Sequence, residues 1–537
     1  MATILNLPDE IHLLIAEHLE TKTVYSLIRI CRSFYSSYIP CLWSNLTVQP
    51  AKGYTILEPV VRSHAHLIEG IYFSPYLAQD YYTIDFPRLR SLYLETFFGD
   101  KCTSCYSKGL LVQKLDFVRR HPFIKNLVYQ HGDTVPREFW EVIVTEWTHL
   151  VVFNFSGIVK DDAQDAFWRV CDRVQTLRLS GVDLLLKNTS ILSTLPFQRL
   201  RTLAVSKYSF INKFPYRAWP LQLLEQVKRS PILKRLEWSV SDTPFPVQRF
   251  QETLVEEGCW PTLCQLDIND SGWTDQDGAE MLRALPSRRL TEYTRTMGGK
   301  FGPLTFNCMR EMCFGHLRNL TVRKCKGFTS VMAQEVLMEC VHLVTFQAPH
   351  IFVRDIATAP KPWGCLQLKR LKIHIAKEPE DEAGWEGQVF EQIGRLGQLL
   401  YLNLERISRF SAGEDVDGVR PHSMETLDLR LPCSRLKNSS GTVDGVELGG
   451  GERGGGGNGS SERGANVTCW SHLVHLRNLA FHGDRQLLGM EEALWMTEHW
   501  KDLRSITGAF RAAICSDKED LKRLFAKHSV IHFEVPL

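Results

Sequence analysis

At 537 residues, with 44% hydrophobic and 23% charged side chains, the chain has the composition of a folded protein and the length of three or four ordinary domains, unless a repeat makes it one body. Its 63 basic and 61 acidic residues leave a formal charge of +2, which gives no field to attract nucleic acid, and no basic block stands out. No run of 18 apolar residues appears, so no membrane span is expected; Asp9 and Glu10 without a basic region before them argue against a signal peptide, and 15 scattered cysteines read as reduced thiols of the cytoplasm or nucleus.

The first element in chain order is a helix opening at Pro8, whose missing N–H has no intrahelical partner to lose; Asp9 and Glu10 suit the positive end of its dipole. Ile11, Leu14, Ile15 and Leu19 follow at helical spacing as one apolar stripe. A second helix is expected from Thr21 or Thr23, either able to cap it, with Val24, Leu27, Ile28, Cys31 and Tyr35 on one side. Leu13, Ile30 and Phe34 fall partly outside these stripes. Two such helices cover each other's main stripe only, so apolar surface is left for another chain or for the rest of this one.

The order Leu7, Pro8, Asp9, Glu10, then Ile15 and Leu19, then Val24, Leu27, Ile30, Cys31 and Arg32, then Phe34, and finally Leu42 and Trp43, resembles the F-box motif. Phe34 stands where that family more often has Trp. The resemblance implies a three-helix module docked on a Skp-type adaptor and, through it, on a cullin. It nominates Leu7, Pro8, Ile11, Ile15, Val24, Leu27 and Ile30 as facing or supporting the adaptor.

Beyond this module one spacing recurs: an apolar residue, two others, an apolar residue, one other, an apolar residue. It appears as Leu89-Leu92-Leu94, Leu150-Phe153-Phe155, Val174-Leu177-Leu179, Leu200-Leu203-Val205, Leu233-Leu236-Trp238 and Leu263-Leu266-Ile268. It continues as Leu317-Leu320-Val322, Leu343-Phe346-Ala348, Leu368-Leu371-Ile373, Leu399-Leu402-Leu404, Met424-Leu427-Leu429 and Leu476-Leu479-Phe481. The gaps from 150 to 174, 174 to 200, 317 to 343 and 343 to 368 are 24, 26, 26 and 25 residues. The last two apolar positions of each copy suit a short strand, and helical patterns separate the copies. A strand and a helix repeating at this period resemble the leucine-rich-repeat fold, and Leu317 to Ser330 resembles its cysteine-containing variety.

The expected fold is therefore α/β: a short three-helix F-box, then a solenoid with parallel strands on a concave face and helices on a convex one. Residues 1–46 are read as the F-box, 47–85 as a junction with atypical first repeats, and 86–438 as repeats. Trp43-Leu46-Val48 and Ile68-Ile71-Phe73 fit the spacing too, which would hold the helical module directly against the first strands. From Gly441 to Gly464, 11 of 24 residues are glycine, so 439–468 reads as a flexible insertion, accounting for the wide gap from Met424 to Leu476; 469–537 then holds the last repeats and a cap.

Catalytic and cofactor patterns are weak. Cys102 and Cys105 have metal-ligand spacing but no second pair, His64 and His66 lack a third ligand, and Gly298 to Gly302 lacks the Ser or Thr that a phosphate loop places after its Lys. No cofactor or metal is expected; the chain reads as a binder, with an enzyme using Cys102 and Cys105 the least favoured reading. The residue between the two inward positions of each strand faces out, as do those flanking them. Of these, Tyr93, Arg178, Glu237, Asp267, Lys372, Asn403 and Asp428 between and Arg323 and Tyr401 beside are nominated as the target-binding face, with Asn154 and Thr321 (between) and Arg370, His374, Glu405 and Arg430 (beside) in the same set. The set is mixed in charge, favouring a protein partner over nucleic acid, and no membrane partner is expected. The resemblance implies a substrate receptor of a Skp-cullin-F-box ubiquitin ligase; a scaffold using the same surfaces without degradation is the alternative.

Overall fold

The computed structural model describes residues 4, 7–48, 57–73, 79–95, 108–184, 197–206, 223, 227, 230–239, 260–269, 273–285, 289–296, 300–377, 385–404, 425–426, 472–481, 490–508, 515–528, 530 and 532–534. The chain forms two compact units, the first reaching from Met1 to Leu263 with Ala284–Pro286, the second made of Cys264–Arg283 and Ser287–Leu537.

The first unit begins with helices α1 (Asp9–Glu17), α2 (Thr21–Leu27) and α3 (Arg32–Trp43). Strand β1 (Asn45–Val48) follows α3 at once, and β2 (Gly70–Phe73) lies beside it after helix α4 (Glu58–His64). The sheet then continues through β3 (Ser91–Glu95), β4 (Asn126–Val135), β5 (Val152–Val159), β6 (Thr176–Ser180), β8 (Thr202–Ser206) and β9 (Arg235–Ser239). Each is parallel to the last and in register: Ile71, Leu92, Leu127, Phe153, Leu177, Leu203 and Leu236 form one inward row. The two-residue β7 (Asp183–Leu184) extends the far end of β5.

Among the described residues, α5 (Lys108–Arg120), α6 (Arg137–Glu146) and α7 (Gln164–Arg173) lie in sequence between β3 and β6. They cover the inward row. Trp140 of α6 meets Phe153 and Phe155 of β5 edge-on, with ring centres 5.9 and 5.2 Å apart, and Phe167 of α7 at 5.1 Å. The alternation that a half-covered strand requires is complete in β5, where Phe153, Phe155, Gly157 and Val159 are buried and the residues between them are not.

A further regularity was not read from the sequence. Three residues before the first apolar position of a copy sits another buried residue whose carbonyl accepts that position's N–H: Phe86 from Leu89, Trp147 from Leu150, Phe197 from Leu200, Trp260 from Leu263, and Trp500 from Leu503, at 3.0 to 3.3 Å. This tight turn aims each strand and plugs the space between the helix and sheet layers.

At the equivalent place before Ile124 stands His121, 3% exposed. Its Nδ1–H donates to the Phe117 carbonyl (2.6 Å) and its Nε2 accepts the Phe86 N–H (3.0 Å), an arrangement that requires the neutral ring. Burial pulls its pKa from 6.5 down to about 4. Between those values the folded chain binds fewer protons than the unfolded one, so the stabilisation is full above about pH 6.5 and is lost as pH falls towards 4, roughly 3 kcal/mol in all. Urea midpoints measured from pH 7 to 4.5 should fall more steeply for wild type than for His121→Gln. Equal slopes would remove His121 as the source.

The second unit repeats the plan with β10 (Gln265–Ile268), α8 (Asp275–Ala284), β11 (Glu292–Arg295), α9 (Pro303–Cys313), β12 (Asn319–Val322), α10 (Ser330–Glu339) and β13 (Thr345–Phe352). It goes on with α11 (Val353–Ala357), β14 (Arg370–Lys377), α12 (Trp385–Gly394), β15 (Tyr401–Leu404), β16 (Glu425–Thr426), β17 (Asn478–Phe481), α13 (Met490–His499), β18 (Ser505–Gly508), α14 (Cys515–Lys527) and β19 (His532–Glu534). Its helices help cap one another. The Asp275 carboxylate accepts the N–H groups of Gly302, Leu304 and Thr305 at 2.8, 2.9 and 3.0 Å, filling the open end of α9.

β15 pairs directly with β17, Tyr401 opposite Asn478 and Leu402 opposite Leu479. Met424, Leu427 and Leu429, the positions of one expected copy, lie outside the described residues; Glu425 and Thr426 run antiparallel to the end of β14, opposite Lys377 and Ala376. The glycine-rich stretch 439–468 lies outside the described residues.

Candidate protein-docking surfaces

The N-terminal helices share a small core of Ala16, Val24, Phe34 and Tyr38, with Ile15, Leu19, Leu27, Ile28, Cys31, Cys41 and Leu42 packed around it. His12 is enclosed with them; its Nδ1 lies 3.1 Å from the Tyr38 hydroxyl, and its ring meets Phe34 and Tyr38 edge-on. Sequence reasoning passed over His12 because its partner is 26 residues away. A hint was present in the spacing from His12 to Ala16, one turn apart on the face that carries Ile15 and Leu19.

This core turns the expected stripes. On α1 the inner side is His12, Ile15 and Ala16, with Leu19 just past its end, so Ile11 and Leu14 point away from it. The chain breaks at Ile28 and restarts at Arg32, which places Phe34 inside and Tyr35 outside, the reverse of the expectation drawn from one continuous second helix. Nor is α2 capped by a threonine side chain; Glu20 occupies the cap position without a side-chain bond.

Apolar side chains remain outside as well. Among the described residues, Ile11, Leu13, Leu14, Tyr25, Ile30 and Tyr35 are exposed, Leu14 at 53% and Ile30 at 65%. Of the residues nominated for an adaptor, Pro8, Ile11 and Ile30 are exposed, Leu7, Ile15 and Leu27 are half-buried, and Val24, at 3%, belongs to the core. Val24 can therefore support a docking face but not touch a partner. Large aliphatic and aromatic side chains on three neighbouring helices mark a surface made for contact.

The module is tied to the sheet. The Ser44 carbonyl, at the end of α3, accepts the N–H groups of Glu69 and Gly70 at 2.8 Å each, and Trp43 stacks on His64 with ring centres 4.3 Å apart. His64 and His66 sit at the end of α4 and in the turn after it, and His64 Nδ1 is spent on the Val60 carbonyl at 2.9 Å.

A family model described as F-box-like matches residues 4–49. The N-terminal module is F-box-like. No curated protein is similar enough in sequence to count as a relative of the whole chain. Similar solved structures include an internalin from Listeria monocytogenes, 10% identical, covering 78% of this chain and 83% of that one with a TM-score of 0.32. A Bacteroides fragilis protein is 9% identical, covering 52% and 74% with a TM-score of 0.29. The leucine-rich-repeat assignment rests on the strand register itself. An F-box-like module followed by such a sheet is a protein-interaction architecture.

On the sheet, the residues nominated for a target fall into different settings. Tyr93 stacks on Tyr72 with ring centres 4.2 Å apart and donates its hydroxyl to Gln130, while Tyr72 donates to Glu95 at 2.5 Å. That hydrogen bond to a carboxylate, with burial, raises the Tyr72 pKa, so the hydroxyl stays a donor. Tyr72, Glu95 and Gln130 were not nominated, although Tyr72 occupies the outward position between Ile71 and Phe73 that the same rule selects. Arg178 is exposed between Asn154 and Ala204, and Glu237 is paired with Arg235 at 2.5 Å.

In the second unit Asp267 accepts from Asn269 (2.9 Å), and Arg323, just past β12, is half-buried. Lys372 and Tyr401 are half-buried and outward, whereas Asn403, expected to face a partner, is 2% exposed because its amide turns onto the Tyr401 hydroxyl at 3.0 Å. His374 is buried as well. Asp428, Glu405, Arg430, Cys102 and Cys105 lie outside the described residues. Among the described residues no cluster of three or more His, Cys, Asp or Glu is placed to hold a metal, and no helix is long and apolar enough to cross a membrane.

Proposed function

We propose that the chain is the substrate-recognition subunit of a Skp-cullin-F-box ubiquitin ligase acting in the cytoplasm or nucleus. The F-box-like module docks on a Skp-type adaptor, which links it to a cullin, and the sheet captures a target protein for ubiquitin-dependent degradation. The observation that supports this most is the apolar set from Ile11 to Tyr35 that stays exposed among the described residues. In this role the chain forms no covalent bond; it raises the concentration of its target near the conjugating enzyme. The bonds from Ser44 to Glu69 and Gly70 favour a fixed relation between the module and the first strands, which a receptor needs. The described cysteines are free thiols, in keeping with a reducing compartment.

The test is reconstitution with a Skp-type adaptor and its cullin. Expected are a stoichiometric complex on size exclusion and a longer half-life of captured proteins after depletion of the chain. A complex that forms while every captured protein keeps its half-life would leave a scaffold in place of a degradative receptor.

A further inference from the structure

Six strands of the second unit carry charges of one sign at their entry-edge and first two outward positions. Strands β12, β13, β14, β15, β17 and β18 pair in unbroken parallel order. Each offers three positions: one at its entry edge and two pointing outward, as in Arg318, Asn319 and Thr321 of β12. Across all six strands these positions hold six cations, Arg318, Lys369, Arg370, Lys372, Arg477 and Arg504, and no carboxylate.

The entry-edge row is fixed by the backbone. Val344, Lys369, Leu400, Arg477 and Arg504 each donate an N–H to the carbonyl of the preceding edge residue, at 2.7 to 2.9 Å. All the cations but the half-buried Lys372 are exposed. Among the described residues, Arg318, Lys369, Arg370, Arg477 and Arg504 have no carboxylate within ion-pair distance. The nearest acids by register bound the face: Glu292 of β11 is held by the Asn319 amide at 2.8 Å, Glu425 lies opposite Lys377 at the far end of β14, and Glu534 of β19 lies opposite Thr507 of β18. The whole-chain charge of +2 hides this because the unit's acids ride on helices, for example Asp275, Asp277 and Glu335, and on strands outside these six, such as Asp267 and Glu292.

Cations aligned without counter-charges repel one another and attract an anion to the surface between them. We infer that this face receives an extended, acidic segment of the target protein, its Asp and Glu side chains lying across the strands. The inference gives the proposed target its chemistry, and it rests on the sheet being the target-binding part of the receptor. Neighbouring strands lie about 4.8 Å apart, so Arg318, Lys369 and Arg477, each two strands from the next, stand about 10 Å apart. An extended chain covers that distance in about three residues. Cations spread in this way match repeated carboxylates, whereas a single phosphate calls for a converging fork. Tyr401 is the one aromatic at these outward positions, too few to stack successive bases of a nucleic acid.

The experiment uses the full chain with its adaptor and a fluorescein-labelled peptide carrying Glu at every third position, read by anisotropy. The peptide should bind at least about tenfold more tightly than its Gln counterpart, and raising salt from about 50 to 300 mM should weaken it at least about tenfold. The Arg318→Glu/Lys369→Glu/Arg370→Glu variant should lose binding by at least about tenfold, as should its Gln version, which keeps the test alive if the Glu version misfolds. Adaptor capture by both should match wild type, so loss of the receptor reading and loss of this inference are read separately. The inference is overturned by equal binding of the Glu and Gln peptides, by unchanged binding in the Gln variant, or by tighter binding of a singly phosphorylated neutral peptide or a uridine oligonucleotide.

Discussion

A Leu14→Asp/Ile30→Asp variant will lose capture of a Skp-type adaptor by at least about a hundredfold while unfolding at nearly the wild-type temperature. Both side chains are more than half exposed, so each contributes little to the fold. Buried against a partner, a Leu or Ile side chain contributes about 1.5–3 kcal/mol, and a carboxylate put in its place must also be stripped of water. Two such losses exceed the roughly 2.7 kcal/mol that corresponds to a hundredfold. Val24→Asp separates contact from support: Val24 is in the core, so this change should melt the helices as well as abolish capture. Capture of the double variant at wild-type strength would end the docking claim, and with it the ligase reading.

The strand rows were legible because the repeat leaves no choice. Two inward positions separated by one residue fix the face of every strand, and a one-residue slip would bury Arg178 or Lys372 in place of Leu177 or Leu371. Spacing alone says nothing about which strand a segment pairs with; the direct pairing of β15 with β17 is visible only in the structure. In the N-terminal module, counting apolar residues misplaced the inner face because His12 is counted as polar, yet the Tyr38 hydroxyl and the Phe34 edge make it a core residue. Phe34 and Tyr35 exchanged roles because the chain breaks after Ile28, a break that no glycine or proline announces. The basic face escaped notice for another reason: its cations on different strands are 27 or more residues apart in sequence and meet only through strand pairing, across a stretch from Leu404 to Asn478 that no local pattern bridges.

Trp140→Ala will cost the first unit about 3–5 kcal/mol, the range for emptying a fully enclosed Trp site. The indole is 0% exposed and is ringed by Phe139, Phe153, Phe155 and Phe167 at 5.1–5.9 Å, rigid rings of two strand positions and two helices that cannot close over the space it leaves. For a unit of this size the loss corresponds to a fall of about 10 °C in its calorimetric transition. Trp140→Phe should cost much less: it keeps the edge-on contacts, and among the described residues the indole Nε1 has no acceptor to forfeit. Each repeat rests chiefly on its neighbours, so loosening spreads first to β4 and β6, and adaptor capture by the N-terminal helices should survive at low temperature. A fall of less than about 2 °C for Trp140→Ala would mean that the aromatic layer relaxes, and that the backbone bonds between strands, not this packing, set the stability of the sheet.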